Sequence, residues 1–460
     1  MAATAELITL DALGPAGSYH ARTRLAISDV AGNPVAELSM VPRLFVTRAM
    51  AALHKADTLP VDERLAALAR AAEAYLNETV DGLSAAEYQR LVSRVCGLPI
   101  SVVRAAAEAT ARGAAEAYRS EQYARPIGAV GNWRDPLTRT GRAVWTRRGE
   151  VFAVHAPGNS PAVHSIWLEA LALGYRVAVR PSRREPFTPH RLISALRSAG
   201  FGDDQVVLLP TDYDAADEIL RGADLAMAYG GEDVMRKYAA QSHMLPQGPG
   251  RSKILLTADV DWRDHLDMIV DSISHGAGTA CVNTTAVFVE GDPGPVADAI
   301  AQRLGAIPSL PPEDEDALLP VHRVADARRI EQHLLAQAAG TTPWLGGDGI
   351  VDELGDGSAV LRPAVHELAR PDAEQARVEL SFPCVWVAPW TRDAGLAPLK
   401  DTLVLTAVTH DERLLDSLLA DPSISNLYIG DHPTYWLEPG IPHDGYLADF
   451  LMRTKGVIRG

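Results

Sequence analysis

The sequence predicts an α/β protein made of two successive strand–helix units. Two stretches carry this expectation. From Val151 to Tyr229, apolar strand-like runs (Val151–Ala156, Arg176–Arg180, Gln205–Leu209, Leu225–Tyr229) alternate with helical ones (Ala162–Leu173, Thr188–Ala199, Ala215–Leu220). After Gly250 the alternation resumes, with a strand over Lys253–Thr257, a helix over Trp262–Ser274, a strand over Ala286–Val289 and a helix over Pro295–Leu304. Such alternation with short joints implies βαβ units and parallel sheets. Ligands on these sheets sit at the carboxyl ends of the strands. The boundary between the units falls near Pro246–Gly250.

The remaining segments follow in order. The first 20 residues read as a loose arm. Residues 24–39 give two β-like runs around the turn Ala31-Gly32-Asn33-Pro34. From Pro42 to about Ser120 the pattern is helical. Over Val61–Glu78, helical spacing puts Leu65, Leu68, Ala69, Ala72 and Tyr75 on one face. Leu83–Arg94 and Ser101–Arg119 repeat that pattern, and Arg125–Arg148 is extended. Residues 308–315 are a proline- and acid-rich surface loop, and Ala325–Ala338 is helical. Strands are expected within Glu379–Val387, at Leu403–Thr406 and at Leu427–Ile429, with a helix over Asp411–Leu419. Tyr446–Lys455 is amphipathic.

Bulk properties bound the function. A chain of 460 residues is too long for one core. Its 47% hydrophobic and 22% charged residues are those of a soluble globular protein. A net charge of -16 argues against nucleic-acid binding, which needs a basic face. Three cysteines give neither a disulfide framework nor a zinc pattern, so no metal is expected and a reducing cytoplasm is the simplest compartment. The N-terminus has no signal-peptide pattern, and no apolar stretch is long enough to span a membrane.

The chemistry concentrates at Ser274–Asp292. Gly276, Ala277, Gly278 and Ala280 lead into Cys281, then Val282-Asn283-Thr284-Thr285 and an apolar β-type run. Small residues let backbone and substrate approach a thiol closely. Cys96 lies in a helical region and Cys384 follows a proline in an apolar run, so both read as packing residues. Read from the residues alone, Cys281 is more simply a buried small apolar side chain, and Asn159 a turn residue.

Several ordered segments resemble the aldehyde dehydrogenase superfamily, from about residue 24 to the end. Pro157-Gly158-Asn159-Ser160-Pro161 is similar to the family's P-W-N-F-P turn, with Gly158 in place of Trp. Val177–Ser182 resembles V-V-x-K-P-S, with Arg180 in place of Lys. Tyr229–Val234 occupies the place of the T-G-S-x-x-V turn at the cofactor phosphates. Cys281 stands where the nucleophile stands. Glu379–Pro383 is similar to E-x-F-G-P, with Phe382 in place of Gly, and Leu447–Val457 resembles the closing L-x-x-Y-x-x-x-K-x-V segment.

The resemblance implies an aldehyde dehydrogenase-like fold: a Rossmann-type cofactor domain, an α/β catalytic domain and a small β-extension. It divides the chain into an N-terminal arm with the helical part of the cofactor domain (1–124), the β-extension (125–150), the cofactor-binding domain (151–248), the catalytic domain (249–430) and a C-terminal segment (431–460). It implies that Cys281 attacks a carbonyl, with Asn159 and the Cys281 backbone N–H holding the oxyanion. It assigns Pro157, Arg180, Ser182, Arg183, Gly230, Gly231, Glu379 and Phe382 to a nicotinamide dinucleotide, Glu379 at the nicotinamide ribose. Arg183 stands where the family commonly has an acid that accepts from the ribose 2′-OH. A guanidinium binds phosphate instead, which favours NADP(H) over NAD(H).

Gln247, in Leu245–Ser252, stands where hydrolytic members of the family have their water-activating glutamate. An amide cannot serve as that base. The chain therefore looks most like the CoA-acylating or acyl-CoA reductase branch. There Cys281 exchanges an acyl group with a CoA or carrier-protein thioester, and the products connect to an aldehyde. His275, His155 and His164 are weaker candidates for a substitute base. Three other readings stay open: a hydrolytic aldehyde dehydrogenase, an acyl-phosphate reductase like γ-glutamyl phosphate reductase, and a binding scaffold without catalysis. Family members are usually homodimers or tetramers joined through a β-extension.

Overall fold

The computed structural model describes residues 7–438 and 440–460. The chain opens with β1 (Ile8–Leu10), β2 (Ala12–Gly14), β3 (Gly17–Tyr19), β4 (Arg24–Ser28) and β5 (Pro34–Ser39). The expected loose arm is thus three short strands from Ile8 onward, with residues 1–6 outside the described residues. The turn between β4 and β5 is fixed by Asp29, whose carboxylate accepts the N–H groups of Ala31 and Asn33. Four helices follow: α1 (Arg43–Leu53), α2 (Val61–Asn77), α3 (Ala85–Cys96) and α4 (Ile100–Tyr123). On α2, Leu68, Ala72 and Tyr75 are buried as the spacing predicts, but Ala69 is exposed.

The first strand–helix unit runs β6 (Arg142–Arg147), β7 (Val151–His155), α5 (Leu168–Leu173), β8 (Arg176–Arg180), α6 (Phe187–Ser198), β9 (Val206–Leu208), α7 (Tyr213–Arg221), β10 (Leu225–Tyr229), α8 (Glu232–Tyr238) and β11 (Met244–Gln247). The helix expected over Ala162–Leu173 is split. Pro161 starts a separate 3-10 turn, Pro161–Ser165, capped by the Ser160 hydroxyl, and α5 begins only at Leu168. Strand order is β11-β10-β7-β8-β9-β2-β3, parallel from β11 to β9, with β2 and β3 antiparallel at the edge. The central strands are buried on both faces, which is why they read as continuous apolar runs.

The chain then crosses to a second sheet between Gln247 and Ser252. This unit comprises β12 (Ser252–Leu256), α9 (Leu266–Ser274), β13 (Thr284–Glu290), α10 (Gly294–Gly305), β14 (Val321–Arg323), α11 (Val324–Gln337), β15 (Thr342–Leu345), β16 (Val351–Glu353), β17 (Ser358–Leu361), β18 (Ala364–Glu367), β19 (Cys384–Trp390), β20 (Thr402–Val408), α12 (Glu412–Leu419) and β21 (Ile424–Ile429). Its order is β15-β18-β19-β13-β12-β20-β21, parallel except for β15. Glu379–Pro383 precedes β19 rather than lying in it.

The amphipathic tail is two elements, α13 (Leu447–Leu451) and β22 (Met452–Val457). β22 pairs antiparallel with β6 in a two-stranded ribbon, and α13 packs into the first unit's core. No helix among the described residues is long and apolar enough to cross a membrane.

Candidate active site

Cys281 sits in a tight loop between α9 and β13. Its approach is left-handed: Gly276, Ala277 and Gly278 have φ of 58°, 63° and 67°. A Cβ on Gly278 would collide with the backbone of Phe382–Pro383, so the small residues let the loop pass against that segment. Asn283 staples the loop. Its Oδ1 accepts the Ala280 N–H at 2.8 Å, and its amide donates to the carbonyls of Ser272 and His275. The Cys281 carbonyl accepts from the Ser252 hydroxyl at 3.0 Å, and a Cβ on Gly250 would collide with that carbonyl. The crossing between the two sheets thus packs on the thiol loop. Gln247, at the end of β11, lies at the start of that crossing.

The structure brings Asn159 to this loop. Its side-chain amide donates to the Thr279 carbonyl at 3.0 Å. Asn159, Thr279, Ala280 and Glu379 line one cavity of about 420 Å³ with Leu380, Ser381, Arg329, Ile330 and His333. Glu379 is half-buried, and its Oε2 accepts the Arg251 N–H at 2.8 Å. Burial raises its pKa, against the backbone N–H groups of Arg251 and Gly250 that hold the charged form. Among the described residues no acceptor takes the Cys281 N–H. Burial, followed by the Glu379 charge, pushes the Cys281 thiol up to about 12.

Cys281 has a partner that sequence reading missed. Its Sγ lies 3.4 Å from Nε2 of His443, which belongs to the segment between β21 and α13. The two are 162 residues apart, and the segment has no periodic pattern to flag it. Burial lowers the His443 pKa, opposed by the neighbouring Asp444.

The three histidines considered from sequence are placed elsewhere. His275 is exposed and stacks on Tyr435, with ring centroids 3.6 Å apart and planes 4° apart. His164 accepts from the Trp167 indole at 3.0 Å inside the core, and burial holds its pKa at about 3. His155 ends β7; burial, then Arg180, holds it at about 3 as well.

The expected cofactor residues gather at the carboxyl ends of β7, β8 and β10. The Pro157–Pro161 turn follows β7, and a Cβ on Gly158 would collide with the Ser182 side chain, so turn and strand end touch. Arg180 and Arg183 lie over the Tyr213 ring at 5.2 Å and 4.9 Å. The Nε of each is buried without a partner among the described residues, while Nη2 of Arg180 donates to the Thr211 carbonyl at 3.3 Å. Arg183 and Arg184 also line a second cavity of about 540 Å³ with His322 and Arg323; it shares Arg329, Ile330 and Ser381 with the first. Gly230 and Gly231 join β10 to α8. Orphaned guanidinium donors at strand ends fit the phosphates of a dinucleotide.

One expected cofactor residue does not fit. Phe382 is 1% exposed and packs in the second unit's core, because the chain must enter β19 there. Its side chain offers the cleft no surface. Cys96 and Cys384 are buried, as their sequence context predicts.

Comparison with known proteins settles the family. Residues 34–398 match the model of the aldehyde dehydrogenase family. The chain belongs to that family. The fold is the α/β aldehyde dehydrogenase fold. A γ-glutamyl-γ-aminobutyraldehyde dehydrogenase structure from Burkholderia cenocepacia J2315 superposes with a TM-score of 0.82 at 19% identity, covering 99% of this chain and 97% of that one. The aldehyde dehydrogenase KauB from Pseudomonas aeruginosa gives 0.84 at 15%, covering 98% and 97%. Among sequence relatives, a 2-hydroxymuconic semialdehyde dehydrogenase from Pseudomonas sp. (strain CF600) is 24% identical over 277 residues, 55% of each chain. Malonate-semialdehyde dehydrogenase 2 from Bacillus mycoides (strain KBAB4) is 26% identical over 163 residues, 34% of this chain and 33% of its own. The chain thus matches between a third and about half the length of these relatives.

Proposed function

We propose that the protein is an NAD(P)-dependent oxidoreductase of aldehydes that works through a covalent thioester on Cys281. The observation that carries this reading is one cavity edged by Asn159, Glu379 and the Cys281 loop, set where two parallel sheets meet. Cys281 adds to a carbonyl carbon through Sγ. The resulting oxyanion takes hydrogen bonds from Asn159 and from the free Cys281 N–H. Glu379, held by the Arg251 N–H, binds the ribose next to the nicotinamide. When bound, the nicotinamide supplies hydride transfer at the carbon carried by Cys281.

Arg180 and Arg183 hold the adenosine end, with Pro157, Ser182, Gly230 and Gly231 around the phosphates. Their unpartnered Nε donors favour a 2′-phosphate, hence NADP(H) over NAD(H). Gln247 in place of a glutamate favours release of the acyl group to a thiol, from CoA or a carrier protein, rather than to water. Thiol exchange needs less base assistance, because a thiolate is already a good nucleophile. The opposite direction, from acyl thioester to aldehyde, uses the same residues. A second reading is favoured by His443: an imidazole beside the thiol can activate water, giving an aldehyde-to-acid enzyme like the semialdehyde dehydrogenases named above. We further propose that the β6–β22 ribbon, whose β22 edge has no strand partner among the described residues while Val130 bridges to β6 on the other side, joins two or four copies of the chain. Turnover of an aldehyde panel with each dinucleotide, with and without CoA, tests the reading. Loss of all activity in Cys281→Ala is expected, and full activity in that variant would refute it.

A further inference from the structure

We propose that His443 is a further catalytic residue: its Nε2 receives the Cys281 thiol proton as sulfur adds to the substrate carbonyl, and gives it up to the departing group. The inference rests on the reading of Cys281 as nucleophile.

Geometry comes first. A base must lie within hydrogen-bond reach of the proton it takes, and such contacts are often loose before substrate binds. The 3.4 Å separation between Sγ and Nε2 meets that condition. The backbone that carries the imidazole is also held in place. The His443 carbonyl accepts from the Asn426 amide, which also donates to the Leu403 carbonyl at 3.0 Å. The next residue, Asp444, accepts from the Ser425 hydroxyl at 3.0 Å. Earlier in the segment, the Thr434 N–H donates to Ser272 and the His432 carbonyl accepts from Thr406. The segment is thus tied to β20, β21 and α9, the elements around the thiol.

The chemistry asks for such a group. A thiol pushed up to about 12 by burial yields little thiolate at neutral pH. The charged and titratable groups around it are Glu379, Asp444 and Tyr229, and none of them stabilises a thiolate. His443 faces Asp444, and burial keeps the imidazole neutral and able to accept a proton. Gln247 is an amide, Glu379 is engaged by Arg251, and His275 lies against Tyr435.

The step balances in acyl exchange. Sγ forms a bond to the thioester carbon while its proton passes to Nε2, and the carbonyl π pair moves to oxygen. Collapse of that oxyanion breaks the bond to the outgoing sulfur, which leaves with the electron pair and takes the proton from His443. No oxidant or reductant is needed.

The test uses p-nitrophenyl acetate without nicotinamide cofactor. Wild type, Cys281→Ala, His443→Ala and His443→Gln are compared by mass spectrometry of cysteine acetylation. Iodoacetamide labelling from about pH 6 to 10 is run in parallel, with melting curves to confirm that each variant is folded. The expected result is acetyl on Cys281 in wild type, with the rate at neutral pH at least ~100-fold lower in both His443 variants. Their alkylation profile also moves to higher pH. An unchanged rate and profile in folded His443 variants would overturn the inference and leave Cys281 as nucleophile. Absence of acetyl on Cys281 in wild type would overturn both.

Discussion

The two ends of the cleft are built on opposite electrostatic terms. At one end Cys281 and His443 are a half-buried neutral pair, and Glu379, the one carboxylate among the described residues that line the neighbouring cavity, accepts a backbone N–H. At the other end Arg180, Arg183 and Arg184 have no carboxylate partners among the described residues, and two of them have buried donors without acceptors. Under the proposed function, this contrast separates the two reactants along one cleft. A neutral thiol pair suits an uncharged carbonyl and stays inert until a base takes its proton. In the proposed reading, the guanidinium donors left without acceptors take a phosphate.

The comparison can be broken at either end. The largest effect is expected from Cys281→Ala, which should lower turnover by ~10³-fold or more while dinucleotide binding is retained, read by steady-state rates and fluorescence titration. Asn159→Ala should lower kcat by ~10²-fold or more with little change in KM for the cofactor, because the amide that the Thr279 carbonyl positions is placed to donate to the developing oxyanion. Arg183→Ala should act the other way. It should raise KM for the phosphorylated dinucleotide by ~10- to 100-fold, leave kcat nearly unchanged, and barely alter KM for the unphosphorylated one. A smaller kcat effect than KM effect in all three variants would mean that the two ends are not separate.

The smallest effect lies behind the arginine end. Glu185 is fully buried, and burial raises its pKa to about 7, against hydrogen bonds from Thr188 and Phe187. Its Oε1 accepts the Thr188 N–H at 2.8 Å near the start of α6. A carboxyl whose folded pKa is raised contributes stability that is complete below the unfolded pKa, about 4.5. That stability is lost as pH rises through 7. Glu185→Gln keeps an oxygen for Thr188 and cannot ionise. Its melting temperature relative to wild type should therefore climb between pH 5 and pH 8; a constant difference would contradict the burial account.

Much of the scaffold was legible in the sequence, for physical reasons. Parallel strands buried on both faces are continuous apolar runs, so Val177–Val179 and Leu225–Ala228 announce themselves. The strands within Ile8–Tyr19 and Val321–Glu367 were not legible, whereas the helix in the second stretch was. Those strands are three or four residues long, too short to show a period. At the site, Cys281, Asn159 and Glu379 could be found because each sits in a local pattern. His443 could not, because only the tertiary path of β21 returns it to the thiol. Phe382 misled because its segment matches a cofactor-side pattern while its side chain serves the core.

In the proposed chemistry the acyl group on Cys281 leaves to a thiol. That step is tested most directly by identifying the product from an aldehyde and NADP⁺ with and without CoA. The account predicts acyl-CoA with CoA present and only slow turnover without it. A free acid formed at the same rate in both arms would contradict it, placing water rather than a thiol at the thioester.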